Sequence, residues 1–148
     1  MTLKERLQED LKTALKNKEQ LRLSVIRLAK SAITNQEIAR GHQLSDPEVI
    51  EVLAKEAKQR KDSIVEYEKA GRDDIIANLK AEIEILQAYL PAQLSEAEIT
   101  QLVKETIAEL GATSKKELGK VMSALMPKTK GRADGRIVNQ IVNSMLDG

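Results

Sequence analysis

The densest run of like charge in the chain lies between Gly119 and Gly135, in the sequence GKVMSALMPKTKGRADG. A predicted amphipathic helix leads into a loop that holds Lys128, Lys130 and Arg132, and a new helix is predicted to begin near Asp134. Loop cations beside a helix N-terminus suit a phosphate, because unpaired backbone N–H groups and the positive end of the helix dipole point the same way. The pattern indicates an anion-binding module and gives almost no sign of a catalyst.

The basic charge is local. Residues 112–136 contain seven basic and two acidic side chains, a net charge of +5, whereas residues 1–93 contain sixteen of each sign. The formal net charge of the whole chain is +1, so any attraction for nucleic acid would come from this one window. The predicted RNA-binding residues are Lys120, Lys128, Lys130, Arg132 and Arg136.

Two features of the window have a structural interpretation as well as a functional one. Gly131 and Gly135 either let the backbone turn closely round an anion or simply permit a tight loop between helices. Asp134 suits the N-cap of the last helix, where its carboxylate would repel a phosphate placed directly on that terminus. The anion would then lie beside the loop, held mainly by Lys128, Lys130 and Arg132.

A second basic group, Lys58, Arg60 and Lys61, lies on the predicted third helix. A densely charged helix face is usually solvated and crossed by ion pairs between residues four apart. The alternative is a secondary contact with nucleic acid.

Several classes of chemistry are excluded or disfavoured. The chain has no cysteine, which excludes disulfides, thiolate nucleophiles and cysteine-bound zinc, and His42 is its sole histidine. Nucleotide-binding and serine-nucleophile motifs are missing. We therefore predict no catalytic residue, no metal site and no cofactor. The charged N-terminus and the lack of a long apolar run predict a cytoplasmic protein with no membrane partner.

Helical patterns that position these residues extend along the whole sequence. Serine or threonine followed three residues later by glutamate predicts helix starts at Thr2, Ser45 and Ser95. Gly41 and Gly111 suit the left-handed position that ends a helix, and no segment alternates with period two. The predicted fold is all-α, with an N-terminal helical bundle over residues 1–93 and a three-helix domain over residues 94–148.

Three stretches carry a family resemblance: LQAYLPAQLSEAEI (residues 86–99), GKVMSALMPKTKGRADGRIVNQIV (residues 119–142) and KQRKDSI (residues 58–64). They resemble the YqeY family, whose members are similar to the tail of the GatB subunit of tRNA-dependent amidotransferase. The resemblance implies an all-helical fold in two parts. It also implies a link to amidotransfer, in which the corresponding tail contacts tRNA while a separate domain performs activation. Amidotransferase or translation components are the partners that it implies.

Three functions remain open on the sequence. The first is an amidotransferase-related accessory protein that binds tRNA or another structured RNA through its basic C-terminal helices. The second is a component of glutamine-dependent amide transfer, in keeping with the family label of carbon–nitrogen ligase with glutamine as amido-N-donor, although the chain is not expected to be catalytic alone. The third is a protein-interaction adaptor.

Overall fold

The computed structural model describes residues 1–146. Within that range every regular element is helical and no strand is present, so the all-α prediction is confirmed. A short 3₁₀ helix, Lys115–Glu117, precedes the sixth α-helix. The seven α-helices are α1 (Leu3–Lys16), α2 (Gln20–Arg40), α3 (Asp46–Lys69), α4 (Asp73–Gln87), α5 (Glu96–Leu110), α6 (Leu118–Thr129) and α7 (Gly135–Met145).

Local signals set the ends of several helices. The Thr2 hydroxyl accepts a hydrogen bond from the Glu5 N–H at 3.1 Å, and the Glu5 carboxylate accepts one from the Thr2 N–H at 3.3 Å. Ser95 opens α5 in the same reciprocal way. Gly41 and Gly111 end α2 and α5 with φ angles of 74° and 63°, a region that favours glycine because it has no Cβ.

Backbone contacts divide the chain into two compact units, the first comprising Met1–Leu90 and the second beginning at Pro91. The first unit holds α1 to α4, with α1 packed mainly on α2 and α3 mainly on α4. Independent domains over residues 1–93 and 94–148 stay a prediction. The core of the first unit includes Leu7, Val25, Ile26, Ala29, Val49, Leu53, Ala57 and Leu86.

The buried Tyr89 connects the end of the first unit to α1. The Tyr89 hydroxyl donates a hydrogen bond to the Asp10 carboxylate of α1. The Arg6 guanidinium lies 4.6 Å from the centroid of the Tyr89 ring and donates a hydrogen bond to the Ala88 carbonyl at 2.9 Å. Together these contacts tie the residues after α4 to α1 through a cation–π pair and two hydrogen bonds.

The second unit packs α5, α6 and α7 around one apolar cluster, and each helix contacts the other two. The amphipathic stripes supply its fully buried members, because spacings of three and four residues place side chains on one helix face. These members include Val103, Val121, Leu125, Val138 and Val142.

The end of α6 differs from the sequence prediction. The helix continues through Pro127 to Thr129, so Lys128 lies in its last turn and not in the loop. Thr129 is buried and its hydroxyl donates to the Leu125 carbonyl at 3.1 Å, which favours a further helical turn. Pro127 and Ser123 are both exposed, so the helical bond that proline cannot make is lost on the solvent side.

Candidate functional site

The predicted anion-binding residues are spread along the second unit and do not meet at one point. Lys120 lies in the first turn of α6 and Lys128 in the last. Eight residues of α-helix span about 12 Å along the axis, at a rise of about 1.5 Å per residue. An extended ligand, such as a nucleic-acid backbone, can contact both lysines along this length.

Lys128 lies beside α5. Its ammonium group is 3.8 Å from a carboxylate oxygen of Glu109 and 3.5 Å from the Thr106 hydroxyl. Both side chains of the ion pair are well exposed. An exposed pair at this distance contributes little free energy. Lys128 can thus exchange Glu109 for a phosphate at small cost.

Arg132 is directed toward the start of the second unit. It is half-buried, and its Nε donates to the Ala92 carbonyl at 3.2 Å. Hydrogen bonds from Ser95 lower the pKa of Glu98, and the positive charge of Arg132 lowers it further. The guanidinium therefore already has a carbonyl and a carboxylate as neighbours.

Lys130 and Arg136 lie on either side of the turn between α6 and α7. The Lys130 N–H donates to the Met126 carbonyl at 3.0 Å and closes α6. Both side chains are exposed, and both residues take part in further interactions. Lys130 is the C-cap residue of α6, and Arg136 lies in the first turn of α7.

Asp134 occupies the N-cap of α7. Its carboxylate accepts a hydrogen bond from the Arg136 N–H at 2.9 Å. The positive end of the helix dipole therefore already has an anion from the chain itself. A phosphate would find its partners in the surrounding side chains instead.

The acidic side chains of the basic window both serve as helix caps. Glu117 accepts hydrogen bonds from the Thr113 and Ser114 N–H groups at 2.6 and 3.3 Å. These two bonds hold the pKa of Glu117 below its usual value, with a smaller effect from Lys120. Glu117 and Asp134 therefore both accept hydrogen bonds from backbone N–H groups at helix starts.

Two further lysines of the charged window, which the sequence prediction did not name as ligands, are also exposed. Lys115 and Lys116 are exposed in the 3₁₀ helix that leads into α6. In the described part of the chain, no carboxylate oxygen lies within 4.0 Å of the ammonium of Lys115, Lys116 or Lys120. The sequence did carry a signal for Lys116, because residues four apart, such as Lys116 and Lys120, are neighbours on a helix surface.

The second basic group does not form a cationic face. Arg60 is held between Glu56 of α3 and Glu82 of α4, at 3.1 and 3.3 Å, and its side chain is 12% exposed. Lys58 is paired with Asp62 at 3.4 Å, and Lys61 is half-buried. The reason is geometric, because Arg60 lies on the side of α3 that packs on α4. It joins two helices and does not point to solvent.

Two further features bear on the type of site. Among residues 1–146, no group of three or more histidine, aspartate or glutamate side chains is arranged to hold a metal ion. No helix in the same range is both long and apolar enough to span a membrane.

Comparison with known proteins identifies the family. The model of a family described as "Yqey-like protein" matches residues 4–146. The chain belongs to the YqeY family. This agrees with the resemblance carried by residues 58–64, 86–99 and 119–142.

Relatives of this YqeY protein carry the name "Altered inheritance of mitochondria protein 41, mitochondrial". The one from Pyrenophora tritici-repentis is 31% identical over 145 residues, covering 95% of this chain and 79% of the relative. The one from Lachancea thermotolerans is 42% identical over 108 residues, covering 70% and 57%. A relative from Saccharomyces cerevisiae is 37% identical over 108 residues, covering 70% and 58%. The matched region thus spans less than two thirds of the latter two proteins.

These names correct one prediction. A cytoplasmic protein was expected from the charged N-terminus, and that expectation is wrong, since the relatives are named as mitochondrial proteins. The physical reason is that charge and hydropathy exclude a membrane-spanning run without specifying a compartment. The names of these relatives mention neither tRNA nor amide transfer, so both stay predictions.

Proposed function

We propose that this YqeY protein is an accessory factor that binds the phosphate backbone of structured RNA, tRNA in particular, through its second unit. One observation carries the proposal. Seven cations lie on the segment from Lys115 to Arg136, and the two carboxylates of that segment are bound to backbone N–H groups as caps. The side chains that remain exposed on this segment are therefore mainly basic.

The expected mode of recognition follows from the residue types. Lysine and arginine contacts to phosphate release counterions, and four contacts give a slope of about −3 to −4 for log K against log salt. The chain has two tyrosines, of which Tyr89 is buried, so recognition by stacked bases has little support. Shape and backbone geometry are the features that such a surface reads.

The test is a fluorescence-anisotropy titration of labelled tRNA at several salt concentrations. The triple variant Lys116→Ala, Lys120→Ala and Lys128→Ala should weaken binding and bring the slope to about −1, since each lost contact removes about 0.9. Lys104→Ala is the matched control, because Lys104 is an exposed lysine of α5 outside the basic segment. Undetectable binding at low salt, or a triple variant that keeps the wild-type slope, would overturn the proposal.

We include amidotransferase or translation components as partners that the protein meets through the bound RNA. Capture of partners from lysate with and without ribonuclease distinguishes this route from direct protein contact. Partners lost on digestion support the RNA route. Partners that survive digestion favour an adaptor and contradict an RNA bridge.

A further inference from the structure

The segment that opens the second unit is bonded to the turn that follows α6. The Leu94 N–H donates to the Arg132 carbonyl at 2.9 Å, and the Gln93 side-chain amide donates to the Gly131 carbonyl at 2.9 Å. The Arg132 Nε donates in the opposite direction, to the Ala92 carbonyl at 3.2 Å. We call this group, Ala92, Gln93, Leu94, Gly131 and Arg132, the clasp.

The clasp is a tertiary feature and not a local turn. Its bonds join residues 38 to 40 positions apart. The turn has its own short-range bonds as well, since the Thr129 carbonyl accepts from the N–H groups of Arg132 and Ala133. Those local bonds set the backbone conformation of the turn. The clasp adds hydrogen bonds that connect the turn to the segment 91–94.

Gly131 shows why the support matters. Its φ angle of 74° lies in the left-handed region. Glycine adopts this region about as readily as conformations with negative φ, because it has no Cβ. A glycine in a turn leaves the turn free to change shape unless neighbouring groups hold it. Here the carbonyls of Gly131 and Arg132 are both held by donors from the segment 91–94. Lys130 directly precedes these held carbonyls, and Lys128 lies in the last turn of α6.

Arg132 is poorly placed as a phosphate ligand. Its Nε and its carbonyl are both used in the clasp, and its charge lies close enough to Glu98 to lower the pKa of that carboxyl. Gln93 carries no charge, so it cannot contribute to counterion release. The hydrogen bonds of these two side chains go to backbone carbonyls of the segment and of the turn.

We propose that Gln93 and Arg132 are positioning residues, which hold the α6–α7 turn in the shape that presents Lys128 and Lys130 to an RNA backbone. Arg132 makes no phosphate contact itself. This inference rests on the proposed RNA-binding function. It gives the neutral side chain of Gln93 a role in RNA binding, through its hydrogen bond to Gly131, 38 residues further along the chain.

Two substitutions separate positioning from contact. Arg132→Lys keeps the charge but lacks the planar Nε donor, and Gln93→Ala leaves the charge of the protein unchanged. Loss of one hydrogen bond of the clasp should weaken tRNA binding roughly two- to tenfold in each variant, with the salt slope unchanged. A phosphate-contacting Arg132 predicts near-normal affinity for Arg132→Lys and for Gln93→Ala.

Hydrogen exchange of the intact protein, followed by NMR, supplies a measurement that needs no RNA. The Leu94 amide, which donates to the Arg132 carbonyl, should exchange several-fold faster in both variants. The Ile99 amide donates to the Ser95 carbonyl in the first turn of α5 and serves as the control for intact folding. Its exchange should not change.

The outcomes are distinct. Unchanged Leu94 exchange in both variants overturns the clasp, and faster exchange with wild-type tRNA affinity overturns the positioning role alone. A reduced salt slope in Arg132→Ala would make Arg132 a phosphate ligand and also contradict the inference. If the unmodified protein does not bind tRNA, the proposed function fails and takes the positioning role with it, while Leu94 exchange still reports on the clasp.

Discussion

Replacing Arg60 should destabilise the first unit without weakening RNA binding. The Arg60 guanidinium donates to the carboxylate and the carbonyl of Glu56 at 3.1 and 3.0 Å, and to Glu82 at 3.3 Å. The side chains of Glu56 and Glu82 are 23% and 15% exposed. In Arg60→Met they would face the α3–α4 contact with no cation between them.

The magnitude follows from the number and burial of these bonds. Hydrogen bonds to charged groups contribute roughly 1.5–3 kcal/mol each, and removing one partner of a buried ion pair costs about 3–5 kcal/mol. The remaining exposure lowers the second figure by screening, so we expect a loss of about 2–4 kcal/mol in the free energy of unfolding. Lys58→Ala is the control. Its pair with Asp62 is exposed, and its loss should cost about 0.5 kcal/mol or less.

Urea denaturation followed by circular dichroism measures both variants, and tRNA anisotropy at a temperature where both are folded completes the experiment. Arg60→Met should show a lower midpoint and wild-type tRNA affinity. A loss below about 0.5 kcal/mol would refute the structural role of the ion pair. If Arg60→Met instead has wild-type stability and weakened tRNA binding, Arg60 contacts nucleic acid.

Three other predictions concern stability. Tyr89→Phe should lower the free energy of unfolding by about 1–2 kcal/mol, because the hydroxyl that donates to Asp10 is lost; urea denaturation with an unchanged midpoint would contradict this. Hydrogen bonds from Ser45 and Arg40 lower the pKa of Glu48 to about 2. Since the folded pKa is below the unfolded one, this stabilisation is full above about pH 5 and is lost as the pH falls toward 2. As the pH falls from about 5 to about 2, the free energy of unfolding of Glu48→Gln should therefore decrease less than that of the wild type. An equal decrease in both proteins would contradict this role of Glu48. Gly111→Ala should cost about 1 kcal/mol at φ 63°, whereas Gly119→Ala, within α6, should stabilise by a similar amount; thermal melts that shift in the same direction would contradict the pair.

Sequence patterns that act over a few residues predicted the corresponding structure well. The caps at Thr2, Ser95 and Asp134 and the glycine ends at Gly41 and Gly111 involve partners at most four residues away. Both the donor and the acceptor of each motif are therefore visible in the sequence. The amphipathic stripes that form the two cores are also visible in the sequence, because their apolar residues recur every three or four positions.

Contacts between distant segments account for what the sequence could not predict. Arg60 and Glu82 are 22 residues apart, and Arg132 and Ala92 are 40 apart. A cation in a charged stretch looks solvated until its partner helix is known. Lys128 shows the same limit, since the sequence predicted it in a loop, whereas α6 continues to the buried Thr129.

The salt dependence of tRNA affinity tests the central claim most directly. For the unmodified protein, log K should fall with log salt at a slope of about −3 to −4, and the variant lacking Lys116, Lys120 and Lys128 should show a slope of about −1. Equal slopes for the two proteins would mean that these lysines meet no phosphate, and the account of the second unit as an RNA-binding surface would be wrong.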